Sequence, residues 1–239
     1  MFYFILSSVL QYNFILIAAA VIPAIVLMVK VYNADRLEAE PPGLLWTLLR
    51  SGVLAALLAL VEERVLSALL KAVIDPATPA YRILLFFVVV AVSEESSKYL
   101  MLHRTAWRTP EFNCQYDGVI YAVFVSLGFA VWENISYVLH YGFGTALVRA
   151  VTAIPGHACF GVFMGVFYGL AKKYENSGAA DRATLYRLLS IFIPVTLHGA
   201  YDYIATYAEG QWFFVAYVAL LFLSSYYLVG KTAKEDRYI

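Results

Sequence analysis

Seven runs of apolar residues, separated by shorter stretches that gather most of the charge, set the pattern of this chain. They cover Phe4–Val29, Leu44–Val61, Ile83–Leu102, Gly118–Leu139, Ala146–Ala171, Leu188–Tyr207 and Trp212–Val229. About 20 apolar residues in helical form cross the hydrocarbon of a bilayer. The pattern therefore predicts an all-α polytopic transmembrane bundle of about seven spans. The second run is the shortest and carries Arg50 near its start, where a long side chain can snorkel to the interface. Met1–Met28 has no basic leader and an apolar run longer than that of a signal peptide, so it reads as the first span, bent near Pro23. Between spans two and three, Val61, Val65, Leu66, Leu69, Leu70 and Val73 recur at helical spacing, with Glu62, Glu63, Arg64 and Lys71 on the other side. Val61–Ile74 is thus expected to be an interfacial amphipathic helix, ended by Asp75-Pro76. No repeat or soluble unit interrupts the series. Residues 1–239 read as a single integral membrane domain whose polar chemistry lies in about 83–207.

Composition agrees with this class. Of 239 residues, 62% are hydrophobic and 14% charged, against about 25% charged in a soluble domain. Net charge is zero and no Lys/Arg cluster occurs, which excludes a nucleic-acid surface. Cys114 and Cys159 make neither a disulfide framework nor a thiolate zinc site. Basic residues alternate between loops. Lys30 and Arg36 lie in loop one, Arg104 and Arg108 in loop three, and Lys172, Lys173, Arg182 and Arg187 in loop five; the tail adds Lys231, Lys234 and Arg237. Loop four has only Arg149 and loop six none, although Arg64, Lys71 and Arg82 in loop two blur the contrast. The positive-inside rule then places the N-terminus outside and the C-terminus in the cytoplasm.

The informative residues are those that violate the apolar pattern. Glu94, Glu95 and Lys98 fall in the third run, Glu133 in the fourth, His157 in the fifth, and His198 with Asp202 in the sixth. An Asp or Lys at mid-helix costs roughly 2.5–3.5 kcal/mol on the insertion scale. Five ionised side chains facing lipid would cost on the order of 10–15 kcal/mol, comparable to the whole stability of a domain. They must face inward and meet one another, water or a metal. Helical geometry places Lys98 between the two glutamates, with Glu94 and Lys98 in the favourable i,i+4 order. Phe129 shares a face with Glu133, and Asn134 supplies an amide next door. His157 follows Pro155-Gly156, a sequence that loosens a helix where it lines a cavity. His198 and Asp202 share one face, so the Asp either orients the imidazole or joins it on a metal. Each pair has a plain structural alternative, such as an intrahelical ion pair or a satisfied core histidine. Their matching depth on four spans favours a single site.

Charge accounting constrains that site. Four carboxyls against one lysine leave three excess negative charges if all ionise, which a low-dielectric interior will not hold. Either carboxyls keep protons or a divalent cation binds. Imidazoles with a carboxylate are a plausible zinc set with an open water position, and a remaining glutamate could act as base on that water. A metal-free form is also chemically sound, with one glutamate activating water while histidines stabilise the oxyanion.

The ordered set Glu94-Glu95-x-x-Lys98, Asp117-Gly118 leading to Gly128-Phe129-x-x-x-Glu133-Asn134, then His157, then His198-x-x-x-Asp202 resembles the PrsW family of intramembrane proteases. That family looks related to the prenyl-protein (CAAX) protease and bacteriocin-immunity superfamily. The resemblance runs from about Ser93 to Tyr203. It implies a multi-pass endopeptidase of a prokaryotic cell (inner) membrane, acting on another membrane protein such as a single-span anti-sigma factor. It also implies that Glu94 or Glu95 activates water with Lys98 beside them. Glu133, His157, His198 and Asp202 would then be metal or oxyanion groups, with zinc as the expected ion if one is bound.

Two other classes fit parts of the pattern. A cation- or proton-coupled transporter would use the same buried acids, but such proteins show repeated halves and this chain has no second copy of the glutamate motif. A non-catalytic binding or immunity-type relative would keep the fold without the reaction. A prenyl-protein peptidase is the nearest rival substrate class.

Overall fold

The structure is a computed structural model that describes the backbone of residues 2–207 and 211–239 and the side chains of 14–206 and 211–239. The side chains at the start of the first expected span, from Phe4 to residue 13, and that of Tyr207 at the end of the sixth lie outside the described residues. The helices are α1 (Phe2–Tyr32), α2 (Pro42–Val73), α3 (Pro79–Leu84), α4 (Ala91–Ala106), α5 (Asp117–Tyr141), α6 (Phe143–Val151), α7 (Ala153–Asn176), α8 (Ala180–Tyr207) and α9 (Gln211–Lys234). A π-helical turn, Leu85–Val90, joins α3 to α4. The only extended pairing among the described residues is an isolated bridge between Cys114 and Tyr238. The all-α polytopic bundle expected from the apolar runs is what the chain forms.

Six helical stretches among the described residues are long and apolar enough to cross a membrane, with Phe143–Asn176 counted as one across a break. The difference from seven lies in the third expected span, Ile83–Leu102. Its helical path is divided by the π turn, and α4, with 16 residues, carries Glu94, Glu95 and Lys98. Neither length nor composition then marks it as lipid-crossing, although helical backbone continues from Pro79 to Ala106.

The segment between spans two and three needs a correction. Val61–Ile74 is not a separate interfacial helix but the end of α2, which runs unbroken for 32 residues, roughly 48 Å at 1.5 Å per residue. No Gly or Pro occurs between Gly52 and Pro76, so nothing stops the helix earlier. Val61, Val65, Leu69 and Val73 are exposed, as on a lipid-facing surface. The acidic side faces inward: Glu62 accepts a hydrogen bond from Ser97 Oγ at 3.1 Å.

Helix α5 is the axis of the bundle. It is buried without interruption from Asp117 to Ala130 and packs against α7, α2 and α1. Glycines permit this closeness. A Cβ on Gly52 would stand 2.1 Å from the Val125 carbonyl oxygen, and one on Gly165 would stand 2.5 Å from that of Gly118. Small residues at helix contacts let backbones approach where lipid supplies no hydrophobic drive to association.

Loops one, three and five and the tail meet at one end of the bundle. Tyr116 donates its hydroxyl to Val31 O at 3.0 Å, Ile239 N donates to Asn113 O at 2.7 Å, and Trp107 Nε1 donates to Glu175 Oε1 at 3.0 Å. Alternating spans require this gathering of odd-numbered loops.

Candidate active site

The π turn and α4 carry the first motif. An extra residue per turn widens the helix at Leu85–Val90 and brings Phe87 so close to α8 that a Cβ on Gly199 would lie 2.5 Å from Phe87 Cδ1. Such single-turn insertions occur disproportionately at functional sites. One turn later Lys98 Nζ lies 3.2 Å from Glu94 Oε2 and 2.7 Å from Glu95 Oε1. The lysine is fully buried, so its charge has to be met inside the bundle. Phe129, one turn before Glu133 on α5, lays its ring 4.0 Å from Nζ.

The other spans converge on the same point. His157 Nδ1 is 3.1 Å from Lys98 Nζ, and His157 Nε2 is 2.8 Å from Glu133 Oε2. An ammonium can only donate, so Nδ1 accepts and the proton on Nε2 goes to Glu133. His198 Nδ1 is 2.8 Å from Glu95 Oε1, and its Nε2 is 3.4 Å from Asp202 Oδ2. The two imidazoles stand edge to face, centroids 5.4 Å apart. Thus Glu94, Glu95, Lys98, Glu133, His157, His198 and Asp202 all enter one network drawn from four separate spans.

The network borders a cavity of about 450 Å³. Glu94, Glu133, His157, His198 and Asp202 line it, whereas Glu95 and Lys98 lie behind its wall. Glu95 is fully buried; its Oε1 serves both Lys98 and His198 while Oε2 has no partner. The two adjacent glutamates are therefore unequal: Glu94 reaches the cavity, and Glu95 holds Lys98 and His198 from behind its wall.

Two further residues belong here that the spacing did not single out. Arg149, read from sequence only as a loop charge, pairs with Glu133 at 3.0 Å and donates from Nε to Asn134 Oδ1 at 2.8 Å. Asn134 is thereby turned away from the cavity, its amide also bonded to Ala20 O at 3.2 Å. Glu63, read as the wet side of an interfacial helix, lines the cavity wall. The signal that could have found it is Glu62-Glu63 in a run without a helix breaker. The local break beside His157 also differs from expectation. It falls at Thr152 (φ −122°, ψ −70°), so Pro155 sits in the first turn of α7. A missing N–H costs nothing there.

A model of the PrsW family intramembrane metalloproteases matches residues 40–228. The chain belongs to the PrsW family. It is 33% identical over 224 residues to Protease PrsW of Geobacillus kaustophilus, covering 94% of this chain and 93% of that one. It is 34% identical over 214 residues to Protease PrsW of Bacillus subtilis, covering 88% and 91%. Protease PrsW of Halalkalibacterium halodurans is 33% identical over 210 residues, covering 88% and 92%. No solved structure matches significantly. PrsW membership makes this a multi-pass membrane peptidase.

The family's description names a metal, and the donors can be tested against one. Glu94, Glu95 and His157 offer ligand atoms within 4.8 Å of one another, but Lys98 Nζ already stands within 3.2 Å of all three side chains. The expected set, Glu133, His157, His198 and Asp202, lines the open side of the cavity. Its imidazoles and carboxylates are the donor types zinc takes, and it leaves Glu94 outside the ligand set. These four share donor chemistry and a cavity, but only His157 belongs to the closely converging group, and in this arrangement its two nitrogens are engaged by Lys98 and Glu133.

Proposed function

We propose that this PrsW-family protein hydrolyses a peptide bond of a membrane-protein substrate, with Glu94 activating the attacking water. A single-span protein such as an anti-sigma factor is the substrate class that the family resemblance implies. The observation that carries the reading is the cavity bordered by Glu94 and faced by two histidines whose positions are fixed by Lys98, Glu95 and Glu133. Glu94 takes a proton from water as the oxygen attacks the carbonyl carbon, then returns it to the departing amide nitrogen. Lys98 keeps both glutamates in place. Asp202 and Glu95 position His198 at the cavity wall, and Arg149 on the same wall supplies positive charge for the developing oxyanion. Glu133, His157, His198 and Asp202 would hold a divalent ion such as zinc, which would supply Lewis acidity and lower the pKa of bound water.

The protein is assigned to the cell (inner) membrane of a prokaryote, N-terminus outside and C-terminus cytoplasmic, on the alternation of loop charge. The test is cleavage of a single-span substrate in proteoliposomes by wild type and Glu94→Gln. Loss of cleavage by at least two orders of magnitude, with unchanged thermal unfolding, is expected. Retained cleavage would remove Glu94 as the base. Metal content measured by plasma mass spectrometry on wild type and His198→Ala addresses the ion: about one zinc per chain, lost in the variant, supports the assigned ligands. A metal-free active wild type would assign the chemistry to the glutamate alone.

A further inference from the structure

A second group of acids lies at the opposite side of the fold's logic, among the odd-numbered loops. Asp35 and Glu40 come from the connection between α1 and α2, and Asp117 opens α5. Each offers a carboxylate oxygen within 4.8 Å of the others. Glu40 is 2% exposed and Asp117 fully buried. One oxygen of each is accounted for: Tyr121 donates its hydroxyl to Glu40 Oε2 at 2.8 Å, the backbone N–H groups of Asn113 and Cys114 donate to Asp117 Oδ2 at 3.0 and 2.7 Å, and Leu37 N donates to Asp35 Oδ1 at 3.1 Å. The other oxygens, Glu40 Oε1 and Asp117 Oδ1, are buried with no hydrogen-bond partner, and so is Asp35 Oδ2. Among the described residues no lysine or arginine forms an ion pair with any of the three; the eight ion pairs present involve other acids.

Buried carboxylate oxygens without donors require a proton or a cation between them. We propose that Asp35, Glu40 and Asp117 form a binding site for a hard divalent cation, calcium or magnesium. All three donors are oxygens, which suits calcium or magnesium rather than a transition metal. Backbone and phenol donors hold each carboxylate by its other oxygen, so the ligating oxygens are fixed before an ion arrives. The ion would tie loop one to α5 at the place where the tail also docks, because Tyr116 N donates to Asp236 Oδ1 at 2.8 Å.

The test uses the full-length protein in detergent. Calcium and, separately, magnesium are titrated by calorimetry at pH 7.5 into wild type, Glu40→Gln and Asp35→Asn. Both variants keep the acceptors that Tyr121 and Leu37 N use, and thermal unfolding without added ions checks that each is folded. Glu94→Gln serves as a control for the active site. Saturable binding of calcium or magnesium near one ion per chain, weakened at least tenfold in Glu40→Gln and Asp35→Asn and unchanged in Glu94→Gln, is expected. No binding of either ion to wild type up to millimolar concentration would overturn the site and leave a shared proton as the balance. Binding of equal strength in wild type and Glu40→Gln would overturn it too.

Discussion

At the scale of single residues, one nitrogen organises the buried network. Lys98 Nζ touches Glu94, Glu95 and His157 in a fully buried position. Removing one partner of a buried pair strands the others, at about 3–5 kcal/mol. Lys98→Met is therefore expected to lower stability by that amount in thermal unfolding, whereas Glu94→Gln, at the cavity wall, should leave stability nearly unchanged and remove activity. A Lys98→Met protein as stable as wild type would contradict the network. Sequence spacing made most of this legible, because Glu94, Lys98, Glu133, His157 and His198 are polar where their neighbours are apolar. Arg149 and Glu63 were not legible for the converse reason. Each sits near a span end, where a charge needs no special explanation, and only folding brings them to the cavity.

At the scale of helices, close packing sets the positions of those residues. Gly52 and Gly128 let α2 and α5 touch through backbone, with a Cβ on Gly128 falling 2.2 Å from Leu49 O. Gly128→Ala should force the helices apart and displace Phe129, which stacks over Lys98. Overpacking of this kind costs typically 1–3 kcal/mol, so a lower unfolding midpoint together with reduced cleavage is expected, and an unaffected enzyme would argue against the role assigned to this contact. Apolar runs located the helices well because hydropathy reports burial in lipid. Breaks were harder. The π turn at Leu85–Val90 and the break at Thr152 carry no Gly or Pro of their own, and the length of α2 depended on what was missing between Gly52 and Pro76. Hydrophobic spacing alone does not distinguish one long helix from a span followed by a surface helix.

At the scale of the molecule, α5 is enclosed by its neighbours and the polar cavity opens beside it, lined by α2, the π turn, α4, α5, α6, α7 and α8. A transmembrane substrate has its backbone groups bonded to one another, so a bond must be exposed by unwinding before water can reach it. Substrates with Gly or Pro near the cut are expected to be cleaved much faster than a rigid Leu/Ala helix in the same vesicles, and equal rates would contradict this. The cavity's size extends the point. A helical turn 5.4 Å long and 10–12 Å across occupies roughly 400–600 Å³, and the cavity holds about 450 Å³. A space of that order is expected to admit only about one turn of a partner at a time. Recognition at the cut is then expected to be short-sighted, sampling how readily a few residues give up their helix, so that the choice among the many spans of a membrane would fall to local softness rather than to a long spelled-out sequence.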